Sequence, residues 1–373
     1  MTNKVCIYAI CKNEEKYVDA WVDSMQEADA IVVLDTGSTD NTVEKLKARG
    51  VTVKTQIFDP WRFDTPRNVA MEMVPDDCNI LMSTDLDEIL EPGWANILRE
   101  RWVEGQHTRA SYKYVWSHME DGSPGRVFAY NKIHNRDWIW KYPVHELLWN
   151  IHTQSELYKD DENLDLFNEV TLHHYPDPEK SRGNYLPLLE LRKAENKEDW
   201  YGLIYLAHEY HYRGFYEKAI RELDDILTNY RSNYSSLEEA SCYLFRGDAY
   251  KALKKYNEAI DSYMESIKIE PTYREPYLDL ATLYMDLGQN QQARFWLKEA
   301  LVKTYRHYTW LERDTSWSYE LYDKLALACY YSGHKMESIA YAAKAASVIP
   351  SDERLKNNLA LCIENTTDEE LNG

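Results

Sequence analysis

Asp85 and Asp87 stand two positions apart in Thr84-Asp85-Leu86-Asp87-Glu88, directly after the apolar run Asn79–Ser83. A short apolar run followed by polar residues reads as a buried strand ending in a turn. Two carboxylates so spaced can reach one hard cation and its waters. Mg²⁺ or Mn²⁺ held there can bridge the two phosphates of a nucleotide diphosphate and neutralise the leaving group. In open α/β sheets, ligands gather at the carboxyl ends of strands, where this turn falls. An isolated Asp-x-Asp is more often a solvated acidic turn, so its weight comes from that placement. A second candidate is Val32-Val33-Leu34-Asp35-Thr36-Gly37-Ser38-Thr39-Asp40. Asp35 at a strand end can hydrogen-bond a base or ribose. Ser38, Thr39 and Asp40 can equally serve the turn and a helix cap.

These residues need a scaffold, and the first half of the chain supplies one. Val5–Ile10 and Ala30–Leu34 read as buried strands, Val51–Ile57 as a third and Asn79–Ser83 as a fourth. Between them, Asn13–Met25 has apolar residues at helical spacing, and Asn41 with Glu44 has the form of a capping box. Thr65-Pro66 reads as the cap and first residue of another helix. Strands alternating with helices imply a mostly parallel sheet covered on both faces. Arg109–Met119 and Arg126–Asn135 flank a turn-rich stretch, Glu120–Gly125, and read as a hairpin added to that sheet.

Composition excludes several classes. A formal net charge of -20 disfavours nucleic acid and anionic membranes as partners. A phosphate ligand would need a metal ion or a local basic cluster. No stretch approaches the about 20 apolar residues that span a bilayer, and the opening MTNKVCIYAICKNEE is not expected to be a signal peptide. Six scattered cysteines without a CxxC pair read as reduced core residues of a cytoplasmic protein.

From about Trp200 the pattern changes to four aligned helical segments. In each, a small residue of a first helix precedes one of a second by 12 positions: Ala207 and Ala219, Gly247 and Ala259, Ala281 and Ala293, Ala326 and Ser338. The segments start 40, 34 and 45 residues apart, so two junctions carry insertions. The pattern resembles the tetratricopeptide repeat, whose unit is about 34 residues. Residues 1–180, 181–199 and 200–373 are expected as an α/β domain, a polar helical bridge and a repeat domain.

Four motifs in order carry a second resemblance: Ala9-Ile10-Cys11-Lys12-Asn13-Glu14, LDTGSTDNT, TPRNVAM and TDLDE. Together they resemble family 2 glycosyltransferases of the GT-A fold, over roughly residues 1–180. The resemblance implies a Rossmann-like, mixed but mostly parallel sheet, a nucleotide-sugar donor (a UDP-sugar foremost), Mn²⁺ or Mg²⁺, and inversion at the anomeric carbon. It implies donor contacts from Asn13, Glu14, Asp35, Arg67, Asn68 and Asp85, and metal contacts from Asp85 and Asp87. With its repeats the chain resembles the subgroup that includes bacteriocin S-glycosyltransferases. Two further patterns of that subgroup occur here, Val144-His145-Glu146 and Leu172-His173-His174-Tyr175. The second continues with Pro176 where the subgroup has glycine, a departure from the subgroup's pattern at that loop.

Inverting transfer needs a base for the acceptor proton, and Glu146 or His145 can provide it. His174, in preference to His173, is expected to complete the metal site. Trp138, Trp140 and Tyr142 can stack on sugars or belong to the core. A concave repeat array suits a peptide or protein acceptor. Two other classes compete. A non-catalytic interaction scaffold would carry a degenerate donor domain. A nucleotidyltransferase would show a glycine-rich basic phosphate loop, which this sequence lacks.

Overall fold

The computed structural model describes residues 3–119, 122–154, 165–177, 185–231 and 234–364. Its contacts define two compact units, Met1–Lys197 with Tyr308–Trp310, and Glu198–His307 with Leu311–Gly373.

The first unit is built on an eight-stranded mixed sheet of order β3-β2-β1-β4-β7-β6-β10-β5. Its strands are β1 (Val5–Cys11), β2 (Ala30–Asp35), β3 (Thr52–Thr55), β4 (Ile80–Ser83), β5 (Glu88–Leu90), β6 (Arg109–Val115), β7 (Val127–His134) and β10 (Asp165–His174). β8 (Trp138–Lys141) and β9 (Leu147–Asn150) form a separate antiparallel ribbon. β1 pairs in parallel with both β2 and β4, and β2 with β3. The expected hairpin forms, β6 against β7, although residues 120–121 of its turn lie outside the described residues.

Alternation along β1 explains why its side chains are all apolar. Val5, Ile7 and Ala9 face one way, towards Trp21, Val22 and Met25 of helix α1 (Val18–Met25) and Trp94 and Leu98 of α4 (Trp94–Arg101). Cys6 and Tyr8 face the other, towards Ala70 of α3 (Asp64–Glu72), Trp138, Trp140 and Leu148. A strand buried on both faces needs a continuous apolar run.

Three helix starts differ from expectation. α1 begins at Val18, because Asn13 adopts φ 57° and cannot continue a helix. α2 (Thr42–Ala48) has no capping box. The Asn41 amide donates to Glu15, and the Asp40 carboxylate accepts the Thr42 N–H at 3.1 Å. α3 starts one residue before Thr65, whose N–H is taken by the Asp64 carboxylate at 2.8 Å. The segment expected as a bridge divides as well. Residues 178–184, including the expected boundary at 180, lie outside the described residues. α5 (Tyr185–Glu195) belongs to the first unit, where Arg192 donates to the carbonyls of Val144 at 3.0 Å and His145 at 2.7 Å.

The second unit is helical. Pairs α6 (Trp200–Tyr212) and α7 (Tyr216–Asn229), α8 (Ser236–Ala252) and α9 (Tyr256–Ile269), α10 (Glu275–Asp286) and α11 (Asn290–Leu301), and α12 (Glu320–Tyr331) and α13 (Lys335–Val348) are followed by α14 (Glu353–Glu364). The small residues paired 12 apart are all buried, letting helices of a pair cross closely. Gly247 shows how closely: a Cβ there would come within 2.5 Å of the Tyr263 ring. All six cysteines are buried thiols outside any disulfide, and among the described residues no helix is long and apolar enough to cross a membrane.

Candidate active site

The turn after β4 is fixed before any ligand arrives. Trp21 Nε1 of α1 donates to Thr84 Oγ1 at 3.2 Å. Glu88, buried at the start of β5, folds its carboxylate back to accept the Asp85 N–H and the Tyr114 hydroxyl, each at 2.8 Å. β5 runs antiparallel to β10 with Glu88 opposite His174, which brings a histidine 87 positions along the chain beside Asp87. His174 Nε2 lies 3.6 Å from Asp87 Oδ2, and its Nδ1 is 3.2 Å from the Trp116 carbonyl. His173, one residue earlier, faces away to Glu91 at 2.9 Å and His118 at 3.0 Å. Strand alternation separates the two imidazoles.

Asp85 is turned towards cations within the protein. Arg67 Nη2 donates to its two oxygens at 2.9 and 3.3 Å, and Lys132 Nζ lies 3.4 Å away. Arg67 also donates to Ser83 Oγ at 3.1 Å and to the Glu146 carboxylate, with its guanidinium 5.3 Å from the Trp140 ring. Lys132 Nζ lies 3.6 Å from Glu88 Oε1. Arg67 and Lys132 are only 5 % and 4 % exposed, so their charges need these partners. Burial pulls both cations down, but Asp85, with Glu146 for Arg67 and Glu88 for Lys132, holds them well above their ordinary values. Burial works against ionised Asp85, yet Arg67 and Lys132 hold it below the usual carboxylate range. For Glu88 burial wins over Lys132 and its titration moves up. For His174 burial acts downward, and Asp87 outweighs it and raises the imidazole.

The other expected site residues already have partners within the protein. Asp35 is 1 % exposed, and its carboxylate accepts the N–H groups of Gly37 at 3.3 Å and Ser38 at 3.0 Å. Each oxygen keeps a further lone pair, so the turn fixes the carboxylate without using up its capacity to accept a ligand's hydrogen bond. Asn68 is committed at both ends of its amide, donating to the Trp140 carbonyl at 2.8 Å and accepting its N–H at 2.7 Å. It fastens α3 to β8. Trp138, Trp140 and Tyr142 are buried core residues. Asn13 ties the loop after β1 to the next one. It accepts the Thr39 N–H at 2.7 Å, and its own N–H goes to Ser38 Oγ at 2.8 Å, while the Glu14 N–H goes to Thr42 Oγ1 at 2.8 Å. Beside these loops lies a cleft of ≈ 440 Å³, lined in part by Asn13, Lys16, Asp40 and Lys45. His145 sits at φ 48°, its carbonyl held by Arg192 and its ring edge-on to Tyr185. The backbone bonds to Arg192 thus position the loop that presents Glu146.

Lys132 went unrecognised in the sequence. Its signal was available: Phe128, Tyr130, Lys132 and His134 share one face of β7, so a lysine occupies an aromatic, inward-facing row.

Comparison with known proteins agrees with this division. Residues 6–156 match the family described as Glycosyl transferase family 2, and residues 247–288 match the TPR repeat. A stretch of 110 residues is 29 % identical to the inactive TPR repeat-containing thioredoxin TTL3 of Arabidopsis thaliana, covering 28 % of this chain and 14 % of that protein. The chain therefore matches only a small part of that relative's length. Similar solved structures include TTC0263, a thermophilic TPR protein of Thermus thermophilus (23 % identity, 48 % of this chain, 89 % of that one, TM-score 0.36). MamA from Desulfovibrio magneticus RS-1 is another (15 %, 47 %, 89 %, TM-score 0.37). The first unit holds a mixed-sheet domain of the glycosyl transferase family 2 type. The second is a helical region of the TPR type, so the chain joins a glycosyltransferase domain to TPR repeats.

Proposed function

We propose that the chain is an inverting glycosyltransferase that moves a sugar from a nucleotide-diphosphate donor, a UDP-sugar foremost, to a peptide or protein acceptor bound by the repeats. The observation that carries this reading is the convergence of Asp85, Asp87 and His174 at the carboxyl ends of β4 and β10.

Asp87 and His174 fit a divalent cation. The Trp116 carbonyl can take the Nδ1 proton of His174, which leaves Nε2 as the ligating atom facing Asp87. Two cis ligands on an octahedral cation sit about 3 Å apart, close to the separation here. Among the described residues no group of three or more His, Cys, Asp or Glu side chains could hold a metal. An ion there would be held by Asp87 and His174 and completed by substrate phosphates and water. Mn²⁺ or Mg²⁺ so held supplies charge neutralisation at the departing diphosphate. Arg67 and Lys132 hold Asp85 at the end of β4, where it would flank the donor's ribose and the diphosphate-bound metal. Glu146 takes the acceptor proton, with His145 next in line. The resemblance to S-glycosyltransferases favours a peptide thiol as acceptor, and six buried cysteines outside any disulfide suit a reducing cytoplasm.

Calorimetry with uridine diphosphate tests the reading. Binding should tighten with Mn²⁺ in the native chain and lose that dependence in Asp87→Ala. Slow metal-dependent hydrolysis across a panel of nucleotide sugars should then identify the donor. The competing reading is a non-catalytic scaffold with a degenerate donor domain, against which Asp35, Asp85 and Asp87 are all present. Absence of nucleotide binding with either metal would establish that alternative instead.

A further inference from the structure

The stretch 302–319 between α11 and α12 accounts for the long spacing between the third and fourth repeats. It does more than connect them. Arg313 Nη1 donates to Asp279 Oδ2 of α10 at 2.6 Å, and Nη2 to Asp248 Oδ2 of α8 at 2.7 Å. Its guanidinium lies 5.2 Å from the Phe245 ring. The Tyr263 hydroxyl fixes the other Asp248 oxygen at 2.7 Å, and Glu275 Oε1 accepts the Arg313 N–H at 2.9 Å. The second oxygen of Glu275, a residue 1 % exposed, has no hydrogen-bond partner.

The first helices of successive pairs are neighbours, α6 with α8, α8 with α10 and α10 with α12. Their side chains meet in one row. His208 of α6 stacks on Phe245 at 3.5 Å, Asp248 and Asp279 share Arg313, and Lys324 of α12 donates to Thr282 of α10 at 3.0 Å. Such a row across stacked repeats is the surface on which repeat proteins bind extended peptides. Here one residue of the chain's own insertion already sits on it.

We propose that this row binds an arginine-bearing segment of an extended partner peptide, and that Arg313 is a ligand in cis that the partner's arginine displaces. Two carboxylates from different repeats converge on one planar fork, the geometry that guanidinium satisfies and ammonium does not. Cationic compensation is incomplete. Burial pushes Asp279 up to about 6 against the pull of Arg313, and Glu275 up to about 7. Arg313 caps the short 3-10 turn Asp314–Trp317 through its backbone, where its carbonyl accepts the Ser316 N–H at 3.0 Å, so the guanidinium can leave without breaking that turn. A partner of positive charge also suits a chain of net charge -20. The inference is independent of glycosyl transfer, because binding alone reads it.

The test uses the full chain and a fluorescein-labelled (Gly-Arg-Ser)₄ peptide, with the same peptide carrying citrulline for arginine as the neutral isostere. A site occupied in cis binds with an affinity reduced by its open fraction. Arg313→Ala should therefore bind the arginine peptide at least roughly tenfold tighter than the native chain. The citrulline peptide should show no such gain, and adding Asp248→Asn with Asp279→Asn should abolish it. Arg313→Lys, which keeps charge but cannot fork, should give an intermediate gain. Equal binding of the two peptides, or no gain in either Arg313 variant, would overturn the proposal. So would loss of cooperative melting in both variants, since Arg313 would then be a structural pin.

Discussion

Arg67 and Arg313 are each held between two carboxylates, yet they stand in different kinds of structure. Arg67 rises from the first turn of α3 into the sheet domain and joins the end of β4, the Asp85 turn and the loop before β9. Arg313 arrives on an insertion and joins two helices that already pack around buried Leu280, Leu244 and Tyr263. A charge planted in a core organises everything that meets it, whereas a charge delivered by a loop can be exchanged. The difference is one of anchoring, since the bond lengths are alike.

The largest expected effect breaks the first of these. Arg67→Ala leaves Asp85 and Glu146 facing each other without the cation between them. Removing one partner of a buried pair typically costs about 3–5 kcal/mol. The substitution should also abolish nucleotide binding, because Asp85 loses its aim. Arg313→Ala, by contrast, should cost under about 2 kcal/mol, since the Arg313 side chain is 29 % exposed where that of Arg67 is 6 %. Denaturant titration of both variants makes the comparison, and equal losses would erase the distinction.

Glu146→Gln sharpens it. A positioned general base contributes about 10²–10⁴-fold, so a loss of transfer in that range is expected with donor binding intact. Glu146 also braces Arg67. If uridine diphosphate binding falls in parallel with rate, Glu146 acts through Arg67 as a positioning residue and the base lies elsewhere. With a thiol acceptor the lost rate should recover towards pH 9, because thiols ionise near about 8.5.

Much of this was legible in residue order. Apolar runs marked β1, β2 and β4, and the turn pair Asp85 and Asp87 marked where chemistry gathers. The short strands β5, β8 and β9 were not read as strands, because three or four residues carry too little periodicity. Asp35 and Asn68 matched family positions, but sequence cannot say that backbone N–H and carbonyl groups also hold their side chains. Lys132 left a trace in the aromatic row of β7, whereas Arg313 left none. What each cation pairs with is settled only once distant carboxylates are folded around it. Asp85 and Glu88 lie 47 and 44 positions from Lys132, and Asp248 and Asp279 lie 65 and 34 from Arg313.

The repeat unit is held chiefly by close packing, and Gly247 tests that. A Cβ at this position meets Tyr263 ring atoms at 2.5 and 2.7 Å, and the ring is itself buried and tied to Asp248. Gly247→Ala should therefore destabilise the unit by about 1–3 kcal/mol, the usual range for overpacking. It should also loosen Asp248 and weaken the arginine-peptide site. A melting temperature unchanged by this substitution would mean that the helix pair can part without cost.

The smallest effect concerns the turn within each repeat. Gly214, Gly288 and Gly333 take positive φ after the first helix of their pairs, and Lys254 takes φ 58° at the corresponding place in the second pair. All four sites make the same two bonds. The N–H of the left-handed residue reaches a carbonyl three back, and the next N–H reaches one five back, as in Lys254 to Lys251 at 2.9 Å and Lys255 to Tyr250 at 2.9 Å. The turn geometry is thus imposed by the repeat, and a lysine tolerates it at a cost of about 1–2 kcal/mol. Glycine removes that cost and adds about 0.5–1 kcal/mol of chain entropy to the unfolded state. Lys254→Gly should therefore stabilise the unit by up to about 1 kcal/mol, a rise of roughly 2–4 °C in melting temperature at this size. The exposed side chain contributes nothing to packing that would offset the gain. Gly288→Ala, at the equivalent turn one repeat on, should move the melting temperature the other way. A fall on Lys254→Gly would show that the lysine, and not the turn, is what this repeat retains.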